Sequence, residues 1–376
     1  MVLTNVPDKL TKLVITCGGT GGHFYPGLSI AVEARRRGCE VLLLLSGVNS
    51  ASQSETAGRS GIRSVILPRM PHPGSPGNAV GFICGLTGGW LESMRQFGKF
   101  KPQAMLGMGS FAMAPVVSAA WARRIPVFLH DGNTVIGRGN RIFSRIASGL
   151  GCAFPPVNRD RVRCRWEMVG MPVRDEVRKH SAISKTEAIA MLNENYGSTL
   201  SPELPTVLVM GGSQGAVSFN TVFPEAFRTW TGGKVQVLHL SGRGKLEDAR
   251  EAYRGFSGPL LLTDASERIE WFLGAADLVF ARSGGSTIAE LTVFGKPAVL
   301  IPYPFAAEDH QRHNAEWFVS CGGGRMIDSR QLTAAAVREE LRRPFSFGEE
   351  CAAASRREAR PDAAEKMLDL IEKALL

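Results

Sequence analysis

The chain has 376 residues, 44% of them hydrophobic and 21% charged, which is enough apolar side chain for two cores of about 150 residues each and excludes a disordered polypeptide. Its net charge of +9 is lopsided: residues 1–180 carry 23 Lys and Arg against 10 Asp and Glu, and the remainder 21 against 25. A basic first half suits phosphates or an anionic membrane surface, and with no nucleic-acid-binding motif beside it, nucleic acid is not expected as a partner.

Seven cysteines, an odd number with no C-x-x-C pair, read as reduced thiols of a cytosolic protein. The polar stretch up to Lys12 offers no signal peptide and no run reaches the length of a membrane span, so a soluble or peripheral protein is expected.

Leu13-Val14-Ile15 reads as a buried parallel strand and Leu28–Val32 as part of a core-facing helix, with Gly18-Gly19-Thr20-Gly21-Gly22-His23 between them. A strand, a glycine turn and a helix leave backbone N–H groups and the positive helix end facing an anion. Counting from Gly19, the third glycine of a nicotinamide fingerprint is replaced by Phe24, and no Walker lysine follows. His23, at the helix start, suits a base or an anion contact, or simply caps a tight turn.

Val41–Leu45 and Val65-Ile66-Leu67 continue the strands, and the alternation with helices predicts a parallel sheet. Pro68–Asn78 reads as a mobile loop. Val80–Lys101 reads as an amphipathic, glycine-broken helix whose stripe of Phe82, Leu86, Trp90, Met94 and Phe97, backed by Arg95, Lys99 and Lys101, either packs on the sheet or dips into a membrane interface. Ala104–Gly107 and Val127–His130 are further strands, the latter ending in Asp131-Gly132-Asn133, where open α/β sheets bind ligands. Gly149–Phe154 and Met168–Gly170 complete this half. The stretch 179–204, a helix followed by polar residues, reads as a linker.

The second half repeats the scheme. Val207–Met210 leads into Gly211-Gly212-Ser213-Gln214-Gly215, and strands recur at Val235–Leu240, Leu260–Thr263, Leu278–Ala281 and Ala298–Ile301. Arg282-Ser283-Gly284-Gly285-Ser286-Thr287-Ile288-Ala289-Glu290 is a second phosphate-suited strand-turn-helix, with Glu290 about one helical turn beyond Ser286 and able to reach sugar hydroxyls, or else an ordinary first-turn carboxylate. Glu308–Ala315 gathers polar groups, His310 and Gln311 among them, at a sheet edge. The expected fold class is α/β: two doubly wound, Rossmann-like domains.

Taken together, Gly18–Pro26 (G-G-T-G-G-H-x-x-P), Leu106–Phe111 (L-G-M-G-x-x) and Gly211–Ala216 (G-G-S-Q-G-A) resemble the MurG family of glycosyltransferases, from about Leu13 to about Asp328. The resemblance implies the glycosyltransferase B fold, two domains facing a cleft, with residues 1–178 and the C-terminal helix (about 348–376) forming the acceptor and membrane domain, 179–204 the linker and 205–347 the UDP-sugar domain. It implies inverting transfer of N-acetylglucosamine from UDP-N-acetylglucosamine to O4 of undecaprenyl-diphospho-N-acetylmuramoyl-pentapeptide, in peptidoglycan synthesis and hence cell shape and division. Transfer to another lipid such as diacylglycerol and silent UDP-sugar binding are the alternatives.

By the same resemblance His23 is the base. Thr20, Gly21, Gly22, Asn133, Arg174, Ser213, Gly284, Gly285, Ser286, Thr287, Ile288, Ala289, Glu290, His310 and Gln311 form the donor site, with Glu290 on the ribose and His310 and Gln311 on the sugar hydroxyls. Phe82, Leu86, Trp90, Arg95 and Lys99 are the expected membrane contacts, at the cytoplasmic face of the plasma membrane. Partners are the sugar nucleotide, the lipid-linked acceptor, an anionic membrane surface and other cell-wall synthesis proteins. No cofactor or metal is expected, since no D-x-D pair sits in a suitable loop. The chain departs from the family at His130-Asp131-Gly132-Asn133 (usually H-E-Q-N), at Met171 within Gly170–Arg174 (usually G-N-P-V-R), and at His310, usually the first of two glutamines.

Overall fold

The computed structural model describes residues 9–19, 21–71, 76–212, 215–343 and 346–376, with the backbone alone at 76, 77, 346 and 347. Among them two compact units separate, residues 1–174 with 361–376, and residues 175–360.

In the first unit β1 (Lys12–Gly18), α1 (Gly21–Arg36), β2 (Glu40–Ser46), α2 (Ser50–Arg59), β3 (Arg63–Ile66), α3 (Pro76–Phe100), β4 (Ala104–Gly107), α4 (Ala114–Ala122), β5 (Val127–Asp131), α5 (Arg138–Phe143), β6 (Gly149–Cys152) and β7 (Trp166–Met168) follow in turn. The strands form one parallel sheet in the order β3-β2-β1-β4-β5-β6-β7. Strand side chains alternate between faces, so Leu13, Ile15 and Cys17 join a core with Leu28, Ile30 and Ala31 of α1, while Val14 joins another with Met105, Val116 and Val117. With both faces covered, the strands read as unbroken apolar runs rather than alternating ones.

The second unit holds α6 (Asp175–Lys179), α7 (Lys185–Tyr196), β8 (Thr206–Met210), α8 (Val217–Arg228), β9 (Gln236–Leu240), α9 (Leu246–Ala252), β10 (Leu260–Thr263), α10 (Ile269–Ala275), β11 (Leu278–Ala281), α11 (Gly285–Phe294), β12 (Ala298–Leu300), α12 (His310–Ser320), β13 (Gly324–Met326), α13 (Ala334–Arg342) and α14 (Ser346–Arg357). Its parallel sheet runs β10-β9-β8-β11-β12-β13. The chain then returns to the first unit as α15 (Ala363–Leu375), whose Met367, Leu368, Leu370 and Ile371 enter the core of α1, each contributing roughly 2 kcal/mol by burial. Arg37 ties it down through Asp369 at 2.6 Å and Glu372 at 3.3 Å.

Three sequence expectations change. The stretch 179–204 belongs to the second unit: α7 begins in a capping box between Ser184 and Glu187 and buries Ala188, Ile189 and Leu192. Residues 348–360 also lie in the second unit, so only the chain from Pro361 onward joins the first. The glycines of α3 do not break it. A Cβ on Gly85 would stand 2.4 Å from the Arg69 carbonyl and one on Gly89 3.1 Å from Pro115, so they allow close packing of a continuous helix.

That packing decides which face of α3 looks outward. Phe82, Leu86 and Trp90 are half-buried, Phe82 stacked on Phe111 and Trp90 against the core. The outward apolar row is Val80, Ile83 and Leu91, 69%, 60% and 57% exposed, with Arg95 and Lys99 beyond it. Of the expected 68–78 loop, residues 72–75 lie outside the described residues and 76–78 are the first residues of α3. All seven cysteines are free, with Cys84 exposed on α3 and Cys17, Cys39, Cys152 and Cys351 buried.

Candidate functional site

In each sheet the strand order reverses once, between β1 and β4 and between β8 and β11, and ligands of open α/β sheets bind at the carboxyl ends of strands beside such a reversal. Both pairs of strands end in glycine turns there.

In the first unit Gly18 has φ +138° and its Cβ would stand 2.4 Å from the Ser46 carbonyl, so only glycine lets the chain leave β1 past the end of β2. Gly21 and Gly22 open α1 and His23 lies in its first turn. Thr20 is outside the described residues. The His23 ring rests against Gly109 after β4: a Cβ there, at φ +85°, would lie 3.4 Å from His23 Nε2 and 3.6 Å from Asn140 Nδ2. Ser110 follows at φ +69° and ψ 147°, a backbone region that non-glycine residues rarely occupy.

Beneath this turn is a buried polar network. The Asp131 carboxylate accepts from the backbone N–H of Gly137 at 2.7 Å, from Asn140 Nδ2 at 2.9 Å and from the Asn133 N–H at 3.1 Å. The shortened acid thus organises the loop that carries Asn133. His130 sets its Nε2 3.0 Å from the Gly170 carbonyl, and burial pushes its pKa down to about 4 despite that bond, with His23 lowering it further. The imidazole is neutral near pH 7, so Nε2 carries the hydrogen and donates. The Arg174 guanidinium lies over the Tyr25 ring, 5.0 Å from its centroid.

In the second unit Gly211 and Gly215 are sterically fixed: a Cβ would stand 2.4 Å from the Ala216 nitrogen at the first and 2.2 Å from the Ser241 carbonyl at the second. Ser213 and Gln214 lie outside the described residues. After β11, Ser283 is pinned to α12, its hydroxyl donating to the Gln311 carbonyl at 2.7 Å and its own carbonyl accepting from Asn314 Nδ2 at 3.0 Å. Gly284 then starts α11 and, among the described residues, no side chain caps the helix and the buried Ser286 hydroxyl has no hydrogen-bond partner. Uncapped N–H groups, the helix dipole and an unused hydroxyl converge on a place for an anion.

Thr287 and Glu290 are half-buried along the same helix. The side chains of Ile288 and Ala289 are buried, and the Ile288 N–H donates to the Gly284 carbonyl at 3.0 Å. Gln311 Oε1 accepts from the Tyr303 N–H at 3.0 Å, which leaves its amide N–H groups to donate. His310 Nδ1 lies 2.9 Å from the Ala307 carbonyl, which leaves Nε2 for another partner. Glu308 and Asp309 before it both adopt φ +52°, turning the chain sharply into α12.

Sequence reasoning missed Arg282. Its Nη1 donates to the carbonyls of Ile301 and Pro302 at 3.0 and 2.9 Å and to Ser329 Oγ at 2.8 Å, and Nη2 donates to Ser218 Oγ at 3.3 Å. The guanidinium lies 4.7 Å from the Phe219 ring centroid and 5.8 Å from that of Tyr303. No carboxylate pairs with it among the described residues, and burial lowers its pKa from the ordinary value. A half-buried cation left without a counter-ion two residues before the α11 turn suits a ligand that brings negative charge. Its only signal in the sequence was its place ahead of Ser283-Gly284-Gly285. Among the described residues no group of three or more His, Cys, Asp or Glu is placed to hold a metal ion.

Residues 13–151 match the glycosyltransferase family 28 N-terminal domain and residues 206–372 the family 28 C-terminal domain. A protein of Halorhodospira halophila named UDP-N-acetylglucosamine--N-acetylmuramyl-(pentapeptide) pyrophosphoryl-undecaprenol N-acetylglucosamine transferase is 34% identical, over 97% of this chain and 99% of its own. A protein of the same name from Chromohalobacter salexigens is 33% identical over 96% of both. Among solved structures, MurG of Acinetobacter baumannii superposes with a TM-score of 0.75 at 23% identity, covering 96% of this chain and 99% of that one.

Proposed function

The chain belongs to glycosyltransferase family 28, and from that premise we propose that it transfers N-acetylglucosamine from UDP-N-acetylglucosamine to O4 of undecaprenyl-diphospho-N-acetylmuramoyl-pentapeptide, the lipid-linked precursor of peptidoglycan. Its fold is of the glycosyltransferase B type, two doubly wound Rossmann-like units. The observation that carries the chemistry is the start of α11, uncapped by any described side chain, with a Ser286 hydroxyl that has no hydrogen-bond partner and, shortly before it in the chain, an Arg282 charge that has no carboxylate partner among the described residues.

The acceptor O4 attacks the anomeric carbon of the donor, the bond to the UDP oxygen breaks on the opposite face, and configuration inverts. His23 takes the O4 proton and later releases it to water, as an imidazole general base does. The negative charge that collects on the leaving diphosphate is met by preorganised donors, the N–H groups of Gly285 to Thr287, the Ser286 hydroxyl and Arg282. Glu290 holds the ribose hydroxyls, and Gln311 and His310 meet the sugar hydroxyls. Thr20, Gly21, Gly22, Asn133, Arg174 and Ser213 complete the donor's contacts on the strength of the family motifs. No metal enters this scheme, because the donors named supply the charge stabilisation.

Among the described residues no helix is long and apolar enough to cross a membrane. The outward row of Val80, Ile83 and Leu91 with Arg95 and Lys99 instead lies on the cytoplasmic face of the membrane that holds the acceptor, its apolar side chains among the acyl chains and its cations at anionic headgroups.

Substituting His23→Ala tests the assignment of the base. Turnover falls by about two or more powers of ten while UDP-N-acetylglucosamine affinity stays within a few-fold. Unchanged turnover overturns the assignment.

A further inference from the structure

The positive end of a helix repels a cation, yet the half-buried Arg174 guanidinium is held close to the start of α1. Its central carbon lies 5.0 Å from the centroid of the Tyr25 ring, within reach of cation–π attraction. Tyr25 is in the second turn of α1, and helical side chains lean back over the turn before their own. Gly21 shows that this ring does so: a Cβ there would stand 3.5 Å from Tyr25 Cδ2 and Cε2, so the ring covers the first turn of the helix. The ring is anchored as well. It packs against the core of the first unit and meets Phe24, itself 2% exposed, edge to face at 5.3 Å.

We propose that Tyr25 is a positioning residue for Arg174: the negative face of its ring holds the guanidinium beside the first turn of α1, ordered in advance for a phosphate oxygen of the donor. The inference rests on Arg174 belonging to the donor site. An arginine side chain surrenders much rotamer freedom when it grips a phosphate, and a ring that already fixes the guanidinium removes part of that cost from binding. A ring face also fixes the guanidinium without cancelling its charge, whereas a carboxylate in the same place would do both. The phosphate then meets two positive features together, the guanidinium and the start of α1.

The test follows UDP affinity by isothermal titration, and kcat and KM for UDP-N-acetylglucosamine, in Tyr25→Phe, Tyr25→Leu, Arg174→Ala and the double variant of the last two. Protein carrying pentafluorophenylalanine in place of Tyr25 completes the series. Tyr25→Phe keeps the ring face and stays within about twofold of wild type. Tyr25→Leu, and the fluorinated ring whose shape is kept but whose face is no longer negative, weaken UDP binding and raise the donor KM by about 3- to 30-fold, with kcat within about threefold. In the Arg174→Ala background Tyr25→Leu adds no further loss. A fluorinated ring that binds UDP as well as Tyr25→Phe does, or a second full loss in the double variant, overturns the proposal while leaving Arg174 in the donor site. Unaltered UDP affinity in Arg174→Ala removes Arg174 from the donor site, and the inference with it. Should Tyr25→Leu fail to fold, the fluorinated ring, which fills the same space as that of Tyr25→Phe, decides the matter by itself.

Discussion

Replacing Ser286 with alanine separates a ligand site from a structural turn by the opposite signs expected for stability and binding. The hydroxyl is buried and has no hydrogen-bond partner among the described residues. Removing it relieves a desolvation cost of about 1–3 kcal/mol in part, and alanine favours the first turn of α11 by about 0.5 kcal/mol. The urea midpoint of ligand-free protein is therefore expected to hold or rise slightly. A hydrogen bond from the same hydroxyl to a diphosphate oxygen is charge-assisted and worth about 1.5–3 kcal/mol, so UDP binding, followed by isothermal titration, weakens by about 10- to 150-fold. UDP affinity within twofold of wild type would refute the diphosphate role. A loss of about 1 kcal/mol or more of ligand-free stability would show the hydroxyl to be structurally bonded.

Ser110→Gly, by relieving the φ +69° conformation, stabilises the first unit by about 0.5–1.5 kcal/mol after the extra freedom of the unfolded glycine is subtracted, read as a higher urea midpoint; an unchanged or lower midpoint would show no strain there. Because the native pKa of His130 lies at about 4 against an unfolded value of about 6.5, the unfolded chain binds a proton that the native state refuses between those values. Stability from this group is complete above pH 6.5 and lost as pH falls towards 4, by up to about 3 kcal/mol. His130→Gln should flatten that part of the pH dependence in urea titrations, and an identical slope would contradict the account. Reversing Arg95, Lys99 and Lys101 to glutamate should weaken sedimentation with anionic vesicles severalfold, and replacing Ile83 and Leu91 with serine should weaken it further; equal binding by both variants would remove α3 from the membrane contact.

The two sheets and their glycine turns were legible because the chain cannot make those turns otherwise. Gly18, Gly211 and Gly215 each stand where a Cβ would strike backbone, and a steric demand of that kind leaves a mark in the sequence. The apolar runs of β1 and β8 were equally plain, being buried on both faces. The outward face of α3 was not legible, because apolar residues lie on several sides of this helix and the close approaches at Gly85 and Gly89 decide which side packs. Ile288 and Ala289 were named with the donor site by the family resemblance, and the burial of their side chains, set by the phase of α11, was not legible in that resemblance. Arg282 was missed because what marks it is the carboxylate it lacks among the described residues, and absence of a partner is a property of the folded chain.

The most direct measurement is release of UDP from UDP-N-acetylglucosamine by the purified chain, with and without a short-chain analogue of undecaprenyl-diphospho-N-acetylmuramoyl-pentapeptide. The account predicts release that depends on the acceptor, with the sugar appearing on the muramoyl O4 in the inverted configuration. Tight donor binding with no acceptor-dependent release, or release onto a diacylglycerol in its place, would contradict it.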